Sequence, residues 1–339
     1  MTLRPRALSV VLTSVMVGLV PNSVDLAAQA SSGPAGSPAA RRSVPRTPWG
    51  DPDLQGIYTN RDEMGIPLER PSQFEGKALE DVTPAQFAEI TQQRHEDGVN
   101  AAPTFGGETG AGPVHWYEYY GAKNSRPWFI TTPADGKIPP LIADAQTRAA
   151  ELRATRSGRG ESDSAEDRSL YDRCISRGVP GSMMPGIYGN SYQIVQAPGY
   201  VAIRYEMIHE TRIIPIDSRP HVGRNIRTYM GDARGHWEGN TLVVETTNLN
   251  GRVASDIVGY GSPDRGASTS IRVIERFTPV ADTKVEWSVT LDDARTWARP
   301  WTFAMNLTRD ETQPPFEYAC HEGNYGLTNI LSAARAEEK

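Results

Sequence analysis

A side-chain rhythm of two sets in after Tyr188 and constrains the fold more than any other feature of the chain. In "YVAIRYEMI", Val201, Ile203, Tyr205 and Met207 fall on one side and Ala202, Arg204 and Glu206 on the other. "TLVVETTN" sets Leu242, Val244 and Thr246 against Val243 and Glu245. "KVEWSVTL" sets Val285, Trp287, Val289 and Leu291 against Glu286, Ser288 and Thr290, and "WTFAMNLT" sets Trp301, Phe303, Met305 and Leu307 against Thr302, Ala304 and Asn306. Such alternation puts one face of an extended strand in a core and the other in water. With "YQIVQ", "TRIIPI" and "IRVIERFT" the pattern predicts about seven strands. Turn residues such as Ala197-Pro198-Gly199 separate them, and "HWEGN" reads as a hairpin with Trp237 covering its turn. Short connections join antiparallel neighbours, because a parallel pair needs a long crossover. A meander of this length hides its edges by closing on itself. The expectation is a mainly β protein whose C-terminal half is an antiparallel β-barrel, calycin-like in outline, or a two-sheet sandwich.

The N-terminal half carries helix signals instead. "TPAQFAEITQQRH" has Thr83 as N-cap, Pro84 at the first helical position and Gln86 to close a capping box. "LIADAQTRAAELRATRSG" predicts a second helix. "SAEDRSLYDRCISRGVP" predicts a third, with Leu170, Cys174 and Arg177 at helical spacing and Gly178 and Pro180 as stops. "GPVHWYEYYGAKNSRPWFITTPADGKIPP" predicts a strand or two in irregular chain, and "LTNILSAARAEEK" a terminal helix. Residues 47–339 are thus expected to form one globular domain, in which 47–177 wrap a β meander and terminal helix over 178–339.

The first thirty residues combine a basic start at Arg4 and Arg6, an apolar run from Ala7 to Val20, and Ala28-Gln29-Ala30 as a cleavage site. That is the pattern of a signal peptide over residues 1–30. The run is shorter than the ~20 residues of a membrane span, so no membrane insertion is expected after cleavage. The mature chain is placed in the periplasm or outside the cell. Residues 31–46, rich in Ser, Gly, Pro and Ala, read as a flexible leader. The formal charge of −6 argues against nucleic acid as a partner, since binding phosphates needs a basic face.

"EYACHEGNYG" sets Cys320 beside His321 and Glu322, and the other cysteine is Cys174. Two cysteines in an exported protein favour a Cys174–Cys320 disulfide. The competing reading, Cys320 as a thiol nucleophile, needs a thiolate outside the cytoplasm. Neighbours on a strand also point to opposite faces, so His321 would be badly placed to activate Cys320. A disulfide would bring Arg173 and Arg177 near His321, Glu322 and Tyr325, although the two arginines also suit a helix C-terminus.

In "MIHETRIIPIDSRPH", His209 and Glu210 end one strand, Pro215 interrupts the next and His221 follows a turn. A zinc-helix spacing is absent; His209, His221 and His321 could still meet at one barrel mouth and bind a divalent metal, but nothing in the spacing requires it, and no metal or other cofactor is expected. Arg204, Glu206, Glu245, Arg272 and Arg276 read first as a solvated outer face, and otherwise as the lining of a cavity. Phosphate-binding glycine loops and a nucleophile elbow are absent from the sequence.

The strings "RCISRGVPG", "YEMIHETRIIPID", "HWEGNTLVVETTN", "TWARPWT" and "EYACHEGNYG" resemble a family of uncharacterised exported bacterial proteins. The resemblance runs from about Thr47 to the C-terminus and implies export, with no activity, cofactor or catalytic residue attached. "NSRPWFITT" is less apolar than the family pattern before "PADGKIP". Two functions fit. One is a binding module for a small organic, anionic ligand near Arg173, Arg177 and Tyr325. The other is an acid/base lyase or hydrolase, with His321 or His209 moving the proton and Glu322 or Glu210 orienting it.

Overall fold

Strands joined in sequence pair in space, and the places where that rule breaks define the architecture. β1 (Gly56–Thr59), β2 (Ile130–Thr132), β3 (Ser191–Ala197), β4 (Tyr200–Tyr205), β5 (Thr211–Pro215), β6 (Asp232–Glu238), β7 (Thr241–Thr247), β8 (Arg272–Ala281), β9 (Lys284–Asp292) and β10 (Trp301–Arg309) form one sheet. The order is β5-β4-β3-β1-β10-β9-β8-β7-β6, with every strand pairing antiparallel. Two meanders, β3–β5 and β6–β10, are therefore joined through β1. It lies along β3 and pairs Tyr58 with Arg309 of β10. β2 also pairs with β10, matching Ile130 to Phe303.

The two ends of the sheet meet without a hydrogen-bonded ladder. A Cβ placed on Gly235 of β6 would stand 2.7 Å from Ile216 Cγ2 and 3.0 Å from Ile214 Cγ2. Glycine is what lets these isoleucines pack onto the backbone of the opposing strand. The result is a nearly closed nine-strand barrel.

This computed structural model describes residues 44–100, 123–186, 191–252, 268–312 and 314–338. The expected signal peptide, all but the last three residues of the expected leader, and "HWYEYY" lie outside them. Among the described residues Arg46 is the first with a bridge partner, Pro52, and its guanidinium donates to Asn240 Oδ1 in the β6–β7 turn at 2.7 Å.

α1 (Pro84–Asn100) starts on the expected capping box: Gln86 N donates to Thr83 Oγ1, and Thr83 N donates to Gln86 Oε1. α2 (Ala143–Thr155) and α3 (Tyr325–Glu337) also form where the sequence places helices. The third expected helix does not. Residues 165–167 make one 3-10 turn, and Cys174 takes the left-handed conformation at φ 56°, which an L-residue cannot continue as a helix. The sequence pattern also missed β1 and β6 as strands, while β2 falls inside the stretch read as a strand or two in irregular chain.

The inward stripes fill the barrel. Trp287, Trp301, Tyr192, Tyr205, Phe277 and Phe303 are all fully buried, with Trp287 and Phe303 edge to face at 5.7 Å. The interior is a packed core, so the cavity-lining alternative for the strand charges falls. Arg272 pairs with Glu245 at 3.0 Å and Asp292 at 2.7 Å, and Arg276 with Glu238 at 2.7 Å, all on the outer face.

Candidate functional site

Two polar clusters stand out from this frame, one inside the barrel and one at its rim. The inner one is built on the inward positions of five strands. Arg212 of β5 reaches across to Glu275 of β8, with Nη2–Oε2 at 2.6 Å and Nη1–Oε1 at 3.1 Å. Arg212 also donates to Thr246 Oγ1 of β7 at 3.0 Å and to Tyr205 Oη of β4 at 3.3 Å. Trp287 Nε1 of β9 donates to Glu275 Oε1 at 3.2 Å. Burial alone would lower the Arg212 pKa, but Glu275 and Tyr205 raise it well above its usual range. Burial pushes the Tyr205 phenol up to about 12. Arg212 and Glu275 are both buried and hold one another, with Arg212 Nε left without a partner among the described residues.

The rim cluster gathers three segments around the Cys174–Cys320 disulfide, whose Cα atoms are 5.4 Å apart. It closes a loop of 146 residues, for which the chain-entropy estimate is ~5 kcal/mol. Next to it, the β4–β5 turn is closed by Tyr205 N donating to the Glu210 carbonyl. Ile208 and His209 in that turn take φ values of 61° and 45°. Left-handed backbone at a β-branched residue is an outlier that costs about 1–3 kcal/mol and persists where its surroundings hold it. Sequence had placed His209 and Glu210 at a strand end; they sit in this strained turn.

The turn aims its side chains at the disulfide segment. His209 Nδ1 is 3.2 Å from the Tyr318 carbonyl, and its ring centroid is 5.3 Å from that of His321. Since a carbonyl only accepts, Nδ1 carries a proton, and in the neutral ring Nε2 is the nitrogen with the lone pair. Glu210 Oε2 accepts from the buried Ser176 hydroxyl at 2.8 Å, and Ser176 Oγ accepts from Gly178 N at 2.9 Å. Burial pushes the Glu210 carboxyl up, opposed by the Ser176 hydroxyl, the Arg177 backbone N–H and the charge of His209. Ser176 was not among the residues singled out by sequence.

The remaining candidates divide. Arg177 lies over the Tyr171 ring at 5.4 Å and donates to the Met184 carbonyl at 3.4 Å. The half-buried Arg173 guanidinium has no hydrogen bond or ion pair among the described residues. Glu322 is exposed, and Tyr325 opens α3 with 77% of its surface exposed. The 320–323 stretch is a turn rather than a strand, with Glu322 N bonded to the Ala319 carbonyl. The argument from opposite strand faces therefore does not apply, and the disulfide alone removes Cys320 as a nucleophile. His221 belongs elsewhere: its Nδ1 is 2.8 Å from Asp232 and its Nε2 3.3 Å from Glu245 on the outer face. Among the described residues no three His, Cys, Asp or Glu side chains converge as a metal cage. A shallow apolar recess of about 240 Å³ is lined by Ile138, Pro139, Pro140, Leu141 and Trp297 and includes none of the candidates.

No protein-family model and no curated protein matches the chain. A solved structure that it resembles is an abundant heat soluble (SAHS) protein from Ramazzottius varieornatus, at 11% identity and a TM-score of 0.24. The match covers 42% of this chain and 87% of that one, and a likeness of this size carries no functional argument. No helix among the described residues is long and apolar enough to cross a membrane.

Proposed function

We propose that the protein is exported and binds a small organic anion at the rim of the barrel beside the Cys174–Cys320 disulfide. One observation carries the reading: two facing imidazoles, one half-buried and one exposed, beside a disulfide whose neighbouring Arg173 guanidinium has no partner among the described residues. A guanidinium in that setting suits a carboxylate, and the exposed Tyr325 ring offers a flat apolar contact. Export is supported by the signal-like start and by a disulfide, which persists in oxidising compartments. The test is titration with benzoate, galacturonate and citrate while the histidine ring protons are followed by NMR. His209 and His321 signals should move with one of these anions, and those of His221 and His236 should stay. No movement at millimolar anion, or movement confined to His221, defeats the proposal.

The second reading is acid/base catalysis at the same rim. The Tyr318 carbonyl fixes the His209 tautomer with Nε2 as the open base, which is how a general base is oriented. Turnover of an ester or uronate, lost in His209→Gln, would place this reading first.

A further inference from the structure

His209 and His321 meet as a tilted ring pair at the rim. The two rings are tilted by 41° with centroids 5.3 Å apart. Imidazole nitrogen binds a transition ion at about 2.0–2.1 Å, and the ring centre lies roughly 1.1 Å beyond the nitrogen, so two imidazoles on one tetrahedral ion have centroids about 5.2 Å apart. The observed 5.3 Å separation leaves room for one ion between the rings. A metal-bound histidine also commonly donates its other N–H to a carbonyl or carboxylate, which fixes the tautomer and orients the ring. The Tyr318 carbonyl occupies that position at His209 Nδ1.

We infer that His209 and His321 form a two-histidine site for a divalent transition ion such as copper or zinc, open to solvent on the His321 side. The two ligands are positioned from independent directions: His209 by the left-handed turn at 208–209, and His321 by its neighbour Cys320 in the disulfide. With no third His, Cys, Asp or Glu converging among the described residues, water completes the coordination and the ion exchanges readily. Imidazole donors favour copper, nickel and zinc over calcium or magnesium. The other two described strand-region histidines lack this arrangement. Both ring nitrogens of His221 face carboxylates, and exposed His236 meets only Glu238 at 3.1 Å. The inference rests on ring geometry and not on the organic-ligand reading.

The experiment is calorimetric titration of tag-free, chelator-treated, disulfide-intact protein with zinc chloride and with copper(II) chloride at neutral pH. One equivalent should bind. His209→Ala and His321→Ala should each weaken that site by at least about tenfold. His221→Ala and His236→Ala should leave it unchanged, and the copper-loaded protein should show nitrogen hyperfine structure from two imidazoles. Because His321 is exposed, His321→Gln serves as a second variant that keeps the fold, checked by its melting curve. Absence of binding, retention of the site in the folded His321 variants, or its loss in His221→Ala overturns the inference.

Discussion

The barrel interior and the barrel rim both hold a carboxylate against donors, yet they use it in opposite ways. Glu275 has 0% exposure, two bonds from Arg212 and one from Trp287, all from side chains on inward strand positions. Glu210 is half-buried in a strained turn, held by a hydroxyl and a backbone N–H, and next to a ring that keeps an open nitrogen. The inner cluster also ties β5 to β7 and β8 across a seam where β5 and β6 share no ladder. Mutually paired groups on regular strands, with only Arg212 Nε left over, serve stability, whereas exposed capacity on irregular backbone is left for something outside the protein. Buried polar side chains alone do not mark a site; spare bonding capacity within reach of solvent does.

The most severe way to test this contrast is to break the inner pair. Glu275→Ala leaves Arg212 charged in the core and should cost about 3–5 kcal/mol by urea denaturation, while Arg212→Met with Glu275→Leu should recover most of it. A loss under ~1 kcal/mol for Glu275→Ala would show that the inner cluster is not what holds the seam. Glu63 sharpens the comparison as a third buried carboxyl, bonded by Ser125 Oγ at 2.5 Å but by no cation. Burial pushes it from 4.5 up to about 7, with Ser125 and the charge of Arg126 pulling the other way. A raised acid stabilises the fold fully below its ordinary value and loses that contribution as pH rises through the folded value. Wild-type stability should therefore fall as pH climbs from about 4.5 to about 7, and Glu63→Gln should flatten that slope by roughly 2–3 kcal/mol. An unchanged slope would mean that Glu63 is not the group responsible. The smallest expected stability effect is at the rim. His321→Gln should shift stability by no more than ~0.5 kcal/mol, yet weaken binding of any responsive anion at least about tenfold. A variant that melts much earlier but binds normally would make His321 a structural residue and erase the contrast.

The alternating strands were legible because most bury one face, as β3, β4, β8 and β9 do, although Val243 of β7 and Ala304 of β10 are buried on the second face too. β6 was hidden because its inward positions are Ala233 and Gly235, small so that Ile214 and Ile216 can fill the seam. β1 has four residues, too few for a period to register, and three-residue β2 was legible only as a strand somewhere in irregular chain. The false third helix came from spacing that takes no account of the left-handed Cys174. The inner pair did leave a signal: Glu275 sits between Val273 and Phe277 on an apolar stripe, where a charge must find a partner. At the rim, cysteine count and redox logic gave the disulfide. The sequence allowed His209 and His321 to meet without requiring it, because the approach depends on a turn geometry that no local pattern encodes.

β1 has one more consequence, and it concerns timing. The strand that joins the two meanders begins at residue 56, while its β10 partner ends at residue 309. A ribosome adding about 5–20 residues per second makes the first strand many seconds before the last. Until β10 exists, β1 can pair only with β3, and the β6–β10 meander has nothing to dock onto. Pairing between distant ends of a chain is slow to form and leaves intermediates with open edges. If the chain is exported unfolded, as proposed here, late pairing of β1 with β10 would lengthen the time it stays open to translocation.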